Sequence, residues 1–268
     1  MNKKIDRKYI SLSLCVAMIF IVAPQLFAAR TVTGITGAVT QPSAQVTKGM
    51  AVTATVNSAG LRQHVPFFFT NKFNDILLAH EDYTVSDVLD SSGSYGLSLS
   101  RGGTRFEYGL TYAGAEHLNV TGFHMKYRFL EVEDLMLALG TDHMFFNKRL
   151  WSNDLYVVAS YPVDEKLMLS FNIANTGIIA DLRHYNSDDK WLKLKYHTNT
   201  TNNTTYGLAA NYEYNDKLDL AADYMFDVRN GDFWGIEAEY GINDGLSASA
   251  GLIASSDVGI FTAINWKF

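Results

Sequence analysis

Apolar and polar residues alternate along most of this chain, and this alternation limits the possible folds more than any other feature. From residue 93 onward, stretches of about ten alternating residues are separated by short turns. Residues 105–112, Arg-Phe-Glu-Tyr-Gly-Leu-Thr-Tyr, show the pattern. Successive side chains of an extended chain point to opposite faces, so a period of two predicts β-strands with one apolar and one polar face.

The alternating stretches predict an antiparallel fold of about fourteen strands, joined by turns rich in Asn, Asp and Gly. Residues 58–92 are open to three interpretations: a long loop, a plug in a lumen, or an extra hairpin that would give sixteen strands. Twelve strands are the other alternative. The predicted strands are 48–57, 95–101, 104–114, 118–129, 135–146, 154–162, 167–175, 178–185, 190–198, 204–214, 217–227, 232–241, 246–255 and 257–268.

Two architectures accommodate so many strands, and they place the apolar face differently. A soluble sandwich buries that face, whereas a membrane barrel turns it toward lipid, with aromatic girdles at both interfaces. The polar face carries many Gly, Ala and Ser residues, which have little use against water but suit a lumen. The sequence therefore predicts an all-β, transmembrane, antiparallel up-and-down β-barrel. Aromatic residues at apolar positions near strand ends are Tyr112, Tyr127, Phe129, Tyr212, Tyr214, Phe226, Tyr240, Trp266 and Phe268.

The first 29 residues have the pattern of a secretory signal peptide. A basic segment at 3–8 precedes an apolar stretch at 10–23, and small residues follow at Ala28-Ala29. Cys15, the only cysteine, lies inside the apolar stretch. A disulfide framework is therefore excluded, and the exported chain has to be held by packing and hydrogen bonds.

Residues 48–268 are predicted to form one barrel domain, preceded by a periplasmic arm at 30–47. The last strand has apolar residues at every second position, ending in Ile264, Trp266 and the terminal Phe268. This stripe resembles the C-terminal signal of bacterial outer-membrane barrels, which implies recognition by the barrel-assembly machinery. We therefore expect the chain in the bacterial outer membrane, surrounded by its lipid and lipopolysaccharide.

Residues 34–44, Gly-Ile-Thr-Gly-Ala-Val-Thr-Gln-Pro-Ser-Ala, are followed by Lys48-Gly49. This opening resembles that of the YjbH-type outer-membrane proteins, which are associated with exopolysaccharide production. Residues 126–129, 156–160 and 239–241 resemble strand segments of the same group. The resemblance implies a structural or accessory barrel linked to the production or export of surface polysaccharide.

The sequence carries no pattern that indicates an enzyme. It contains no Gly-x-Ser-x-Gly motif, and its seven His are not spaced as a metal-binding pair. No catalytic residue, metal site or cofactor is therefore predicted. The formal net charge of −6 argues against a nucleic acid as partner.

The polar face is the remaining candidate for a functional surface, because a barrel turns it into its lumen. Lys126 and Arg128 are expected to face Asp219 across that lumen, with Glu239 one strand away. Such charges either bridge and close the lumen or line a wet channel. The predicted lumen-lining residues are Arg105, Glu107, His124, Lys126, Arg128, Arg183, Lys193, Lys195, Glu213, Asp219, Asp223, Glu237 and Glu239.

The leading functional interpretation is a passive channel for small hydrophilic solutes. A barrel of about fourteen strands is closer to the open porins than to the filled eight-strand barrels. Asp219, Asp223, Glu237 and Glu239 share one face of two adjacent strands, which predicts a weak preference for cations. The alternative is the accessory barrel linked to exopolysaccharide, whose partner would be a polysaccharide.

Overall fold

The computed structural model describes residue 31 and residues 37–58, 93–114, 119–146, 150–180, 203–227, 232–254 and 258–268. Within these ranges, no helix is long and apolar enough to cross a membrane. The strands there are β1 (Gly49–Asn57), β2 (Ser94–Gly102), β3 (Phe106–Gly114), β4 (Asn119–Val132), β5 (Leu135–Phe146), β6 (Leu150–Pro162), β7 (Leu167–Ala180), β8 (Asn203–Asn215), β9 (Leu218–Asp227), β10 (Phe233–Asn243), β11 (Leu246–Ala254) and β12 (Val258–Lys267).

These strands form one closed antiparallel barrel. Each strand pairs with its neighbours in the chain, and β1 pairs with β12, which closes the sheet. In the closing register Ala51 lies opposite Lys267 and Asn57 lies opposite Phe261. The predicted up-and-down barrel is therefore confirmed, but it has twelve strands and not about fourteen.

The prediction of a separate strand at 178–185 is wrong for residues 178–180, and the predicted strand at 190–198 lies outside the described residues. β7 continues without a break through Ala180, still paired with β6. It also pairs directly with β8, from Leu167 to Thr176. Adjacent strands leave no place for others between them. Polar residues near the end of β7 interrupt the apolar alternation without interrupting the hydrogen-bond ladder, which is why the sequence suggested a second strand.

β1 pairs directly with β2 along its whole length, so no further strand lies between them in the barrel wall. The loop, the plug and the extra hairpin considered for residues 58–92 fall on residues 59–92, which lie outside the described residues. The same is true of the signal peptide at 1–29, which stays a prediction.

Five short turns lie at one end of the barrel, joining β2 to β3, β4 to β5, β6 to β7, β8 to β9 and β10 to β11. In three of them a side-chain oxygen, that of Asp164, Asn215 or Asn243, accepts the N–H groups two and three residues further on. The bonds from the Lys166 and Leu167 amides lower the pKa of the Asp164 carboxyl below its ordinary value. In outer-membrane barrels the short turns face the periplasm.

The barrel turns its apolar side chains outward and its small and polar side chains inward. On β3, Leu110 is 54% exposed, whereas Glu107 is buried. This is the surface of a barrel that spans a lipid bilayer, with an aromatic belt at each edge. Outward aromatic side chains near the short-turn end are Tyr127, Phe129, Tyr161, Tyr212, Tyr214, Tyr240, Trp266 and Phe268, and those near the other end are Tyr95, Tyr112, Phe145, Phe226 and Trp234.

The seam of the barrel joins the start of β1 to the last residue of the chain. The Phe268 amide donates to the Met50 carbonyl oxygen at 2.8 Å, and the Met50 amide donates to the Phe268 carbonyl oxygen at 3.3 Å. Gly49 has a φ of 93°, and a Cβ there would lie 2.7 Å from the Phe268 carbonyl oxygen. Only glycine fits where the chain enters the wall beside its own end.

We expect Leu208→Arg to destabilise the barrel by about 2–4 kcal/mol, because this outward side chain lies near the middle of β8 and an arginine there meets the lipid core. Tyr214→Arg, on the same face near the strand end, should cost about 0–1 kcal/mol. Urea unfolding in lipid vesicles measures both. Equal costs would show that the two positions do not differ in membrane depth.

Candidate functional site: the barrel lumen

The inward side of β3 to β6 carries a cluster of buried charged and polar side chains. Glu107 and Lys126 lie directly opposite each other on β3 and β4. Asp142 and Asp154 lie opposite each other on β5 and β6. Tyr156 is 1% exposed on the same side of β6. Strand alternation places all five inward, so one wall of the lumen is polar.

Lys126 is held by a carboxylate of its own wall. Its Nζ lies 2.9 Å from Glu107 Oε2, and the two side chains are 0% and 1% exposed. Arg128 lies near the short turns and donates to the Thr104 carbonyl oxygen at 2.7 Å. Of the two alternatives, a bridge across the lumen or a wet channel, the ion pair with Glu107 argues against a bridge formed by Lys126. A buried ammonium needs a close partner, and the neighbouring strand supplies it without crossing the lumen.

The opposite wall, formed by β9 and β10, is acidic. These strands lie across the ring from β3 and β4. Asp223, Glu237 and Glu239 are buried there, and Asp219 lies on the same inward face. Glu239 accepts hydrogen bonds from the Ser247 hydroxyl and, at 3.1 Å, from the amide side chain of Asn265.

Residues 37–47, here called the inner segment, lie inside the barrel. Ala38, Val39 and Ala44 have no exposed surface. The Ala38 amide donates to the Gln41 carbonyl oxygen at 2.9 Å, which closes a turn. The expectation was a periplasmic arm, but this part of the chain folds back into the lumen.

Asp223 holds the tip of that turn. Its Oδ2 accepts the backbone N–H of Thr40 at 2.5 Å, the backbone N–H of Gln41 at 3.0 Å and the Thr40 hydroxyl at 3.0 Å. The Gln41 side chain in turn donates to Thr40 Oγ1 at 3.1 Å. Hydrogen bonds to an ionised carboxylate are stronger than neutral ones, so these contacts form the main attachment of the turn.

Two further strands contact the inner segment through their side chains. The Asn172 amide group on β7 donates to Gln41 Oε1 at 2.5 Å. The Ser160 hydroxyl on β6 accepts the Ala44 amide at 2.8 Å. The segment therefore lies against the wall formed by β6 to β10.

Two glycines of this wall leave room for the turn. A Cβ at Gly235 on β10 would lie 2.8 Å from the Val39 Cβ. A Cβ at Gly207 on β8 would overlap the Gln41 side-chain oxygen. The wall thus has a recess at the place where the turn contacts it.

The remaining predicted lumen residues have varied positions. His124 lies inward and is buried, and Glu213 is half-buried on β8. Arg105 lies exposed in the turn before β3. Three predicted residues lie outside the described part of the chain: Arg183, Lys193 and Lys195.

Sequence reasoning missed Asp142, Asp154, Tyr156 and the inner segment. The first three follow the same alternation as their neighbours, in strands that were predicted at 135–146 and 154–162. The signal for them was therefore present. The inner segment has no alternation, so its position depends on contacts that are distant in sequence.

The lumen is acidic at the level of these residues. Within the described ranges, no three His, Cys, Asp or Glu side chains are grouped so that they could hold a metal ion. Among the described residues, the buried charged side chains are the six carboxyl groups of Glu107, Asp142, Asp154, Asp223, Glu237 and Glu239 and the single ammonium of Lys126.

A closed barrel with an apolar outer band and a polar lumen is the fold of the bacterial outer-membrane porins. The KdgM porin in complex with disordered oligogalacturonate is similar to this chain with a TM-score of 0.56 and 8% identity, over 82% of this chain and 99% of that one. The NanC porin is similar with a TM-score of 0.51 and 10% identity, over 82% and 98%. No protein-family model and no curated protein sequence matches the chain.

The resemblance to the YjbH-type proteins is not supported by these comparisons: the two similar structures named above are porins, and no family model matches. From position 37 onward, the residues on which this resemblance was based have a structural role in the barrel. They form the turn held by Asp223, and a Cβ at Gly37 would overlap the Gln41 carbonyl oxygen.

Lys126→Met should destabilise the barrel by about 3–5 kcal/mol, because it removes the ammonium that balances the buried Glu107 carboxylate. The double variant Lys126→Met with Glu107→Gln should recover much of this loss, since neither charge remains. A double-mutant cycle in urea unfolding measures the coupling. Strictly additive costs would show that the two groups do not stabilise each other.

Proposed function

We propose that this protein is a passive outer-membrane channel for small hydrophilic solutes and that it favours cationic or neutral solutes over anions. The observation that carries the proposal is the acidic lumen, with six buried carboxyl groups against one ammonium. Fixed charge of one sign raises the local concentration of ions of the other sign. The porin fold supports a channel over an enzyme.

The charge of the lumen argues for a solute class unlike that of one structural neighbour. The KdgM porin has been captured with oligogalacturonate, a polymer of acidic sugars. In the present lumen such a polyanion would meet carboxylates on both walls, near Glu107 and near Asp223. A shared fold does not imply a shared substrate.

The inward faces of β9 and β10 carry no basic side chain, and half-buried Lys267 on β12 supplies one positive charge near Asp219. Glu239 lies directly opposite Asp219, and Glu237 lies two residues away on the same face of β10. Carboxylates opposite each other on adjacent strands repel. The ammonium of Lys126 is bound to Glu107 on the other side of the ring. One ammonium does not balance these carboxylates, so mobile cations are the natural counter-charge for the rest, as a cation-preferring channel requires.

Replacing Glu237 and Glu239 together with Gln should lower the preference for potassium over chloride roughly twofold or more, because two fixed charges leave the lumen. Asp216→Asn, which removes an exposed carboxyl from the turn between β8 and β9, is the control and should change the preference less. Reversal potentials under a salt gradient in a planar bilayer measure the effect. Equal changes in both variants would contradict a selective lumen wall.

We further propose that Ile264, Trp266 and Phe268 form the signal read by the barrel-assembly machinery. All three side chains are outward and exposed on β12 or at its end. The Phe268 ring contacts the Trp266 ring, with centroids 4.6 Å apart. Because β12 pairs with β1 in the closing step, this stripe lies on the strand that completes the sheet.

Phe268→Ala should lower the folded fraction of the barrel in outer membranes, because it shortens this stripe at its end. Val258→Ala changes the same face of the same strand at its far end and is the matched control. Heat-modifiable migration on gels, with the assembly machinery made limiting, measures the folded fraction. Equal yields from both variants would contradict a role for the terminal aromatic residue.

A further inference from the structure

The inner segment contacts the barrel wall in the way that a ligand contacts its binding site. We propose that the wall formed by β6 to β10 carries a binding site for a polypeptide turn, and that residues 37–44 occupy it as a displaceable plug whose departure opens the lumen. The opening step rests on the proposed channel function, whereas the binding site does not.

The contacts between the plug and the wall are hydrogen bonds of the kind that bind a peptide. Asp223 accepts two consecutive backbone N–H groups and a hydroxyl, and Ser160 accepts a third backbone N–H. Asn172 donates to an amide oxygen. A site built in this way recognises the donors and acceptors of a polypeptide turn and needs no strand pairing with it.

The shape of the wall also fits the turn. Gly207 on β8 and Gly235 on β10 lie on either side of β9. A side chain at either position would overlap the plug. Val39 and Gln41 fill the two recesses. The wall is therefore complementary to this turn in shape as well as in hydrogen bonding.

The attachments of the plug can be broken without disrupting the barrel. The named attachments of the plug are polar, and water can replace each of them when the turn leaves. The segment joins the sheet at Gly49, beside the seam, so its departure breaks no strand pairing between β1 and β12. While it is seated, Ala38, Val39 and Ala44 have no exposed surface, which shows that the lumen around them is filled.

Accessibility of the plug can be measured without any conductance. Val39→Cys places a thiol of similar size at a position with no exposed surface, and the only native cysteine, Cys15, lies in the predicted signal peptide. A water-soluble maleimide should label this cysteine slowly. Adding Asp223→Asn or Thr40→Val should speed labelling by about tenfold, because each weakens the attachment of the tip. Asp142→Asn removes a buried carboxyl group from β5, outside this wall, and should leave the labelling rate unchanged.

Conductance of the same full-length variants in planar bilayers tests the opening step. Asp223→Asn and Thr40→Val should both raise the frequency of openings, and Thr40→Val does so without changing any wall charge. Fast labelling of the single variant Val39→Cys would contradict the proposed plug. Equally slow labelling in all variants would also contradict it, provided that heat-modifiability shows those variants to be folded. Faster labelling without conductance in any variant would contradict the channel and keep the turn-binding site.

Discussion

Backbone hydrogen bonding in a medium without water is the constraint on which this structure depends. An unpaired N–H or C=O group in lipid is costly, and a sheet avoids it only by closing on itself. Pairing of β1 with β12 removes both edges. Once the sheet is closed, alternation leaves every residue only two directions, toward lipid or toward the lumen. Charged groups such as Glu107 and Asp223 therefore have to lie inside, and groups in the lumen have to stabilise their charges.

The buried carboxylates of the lumen are stabilised in different ways. Glu107 has the ammonium of Lys126 on the next strand, and Glu239 has Ser247 on β11 and Asn265 on β12. Asp223 instead has backbone amides from a segment outside the sheet. The first two solutions are permanent as long as the sheet exists. The hydrogen bonds of the third kind can be broken, by departure of the inner segment, while the barrel stays intact.

The period of two was enough to predict the barrel, its lipid-facing side and the inward position of residues such as Asp223 and Glu237. Strand count was less certain, because polar residues at the end of β7 resemble a strand break in the sequence and are paired in the structure. The position of the inner segment could not be predicted from the sequence. Nothing near Thr40 in the sequence indicates that its partner is Asp223, since local patterns report on local structure and this contact is not local.

The distance in sequence between those partners also bears on the order in which the molecule forms. Contacts within the hairpins join residues a few positions apart, as Glu213 and Asp219 do, whereas Thr40 and Asp223 are separated by 183 positions. Closing so long a loop costs conformational entropy that early contacts do not repay. The recess for the turn exists only after β6 to β10 have come together. The part of the chain that the ribosome makes early is thus among the last to reach its place.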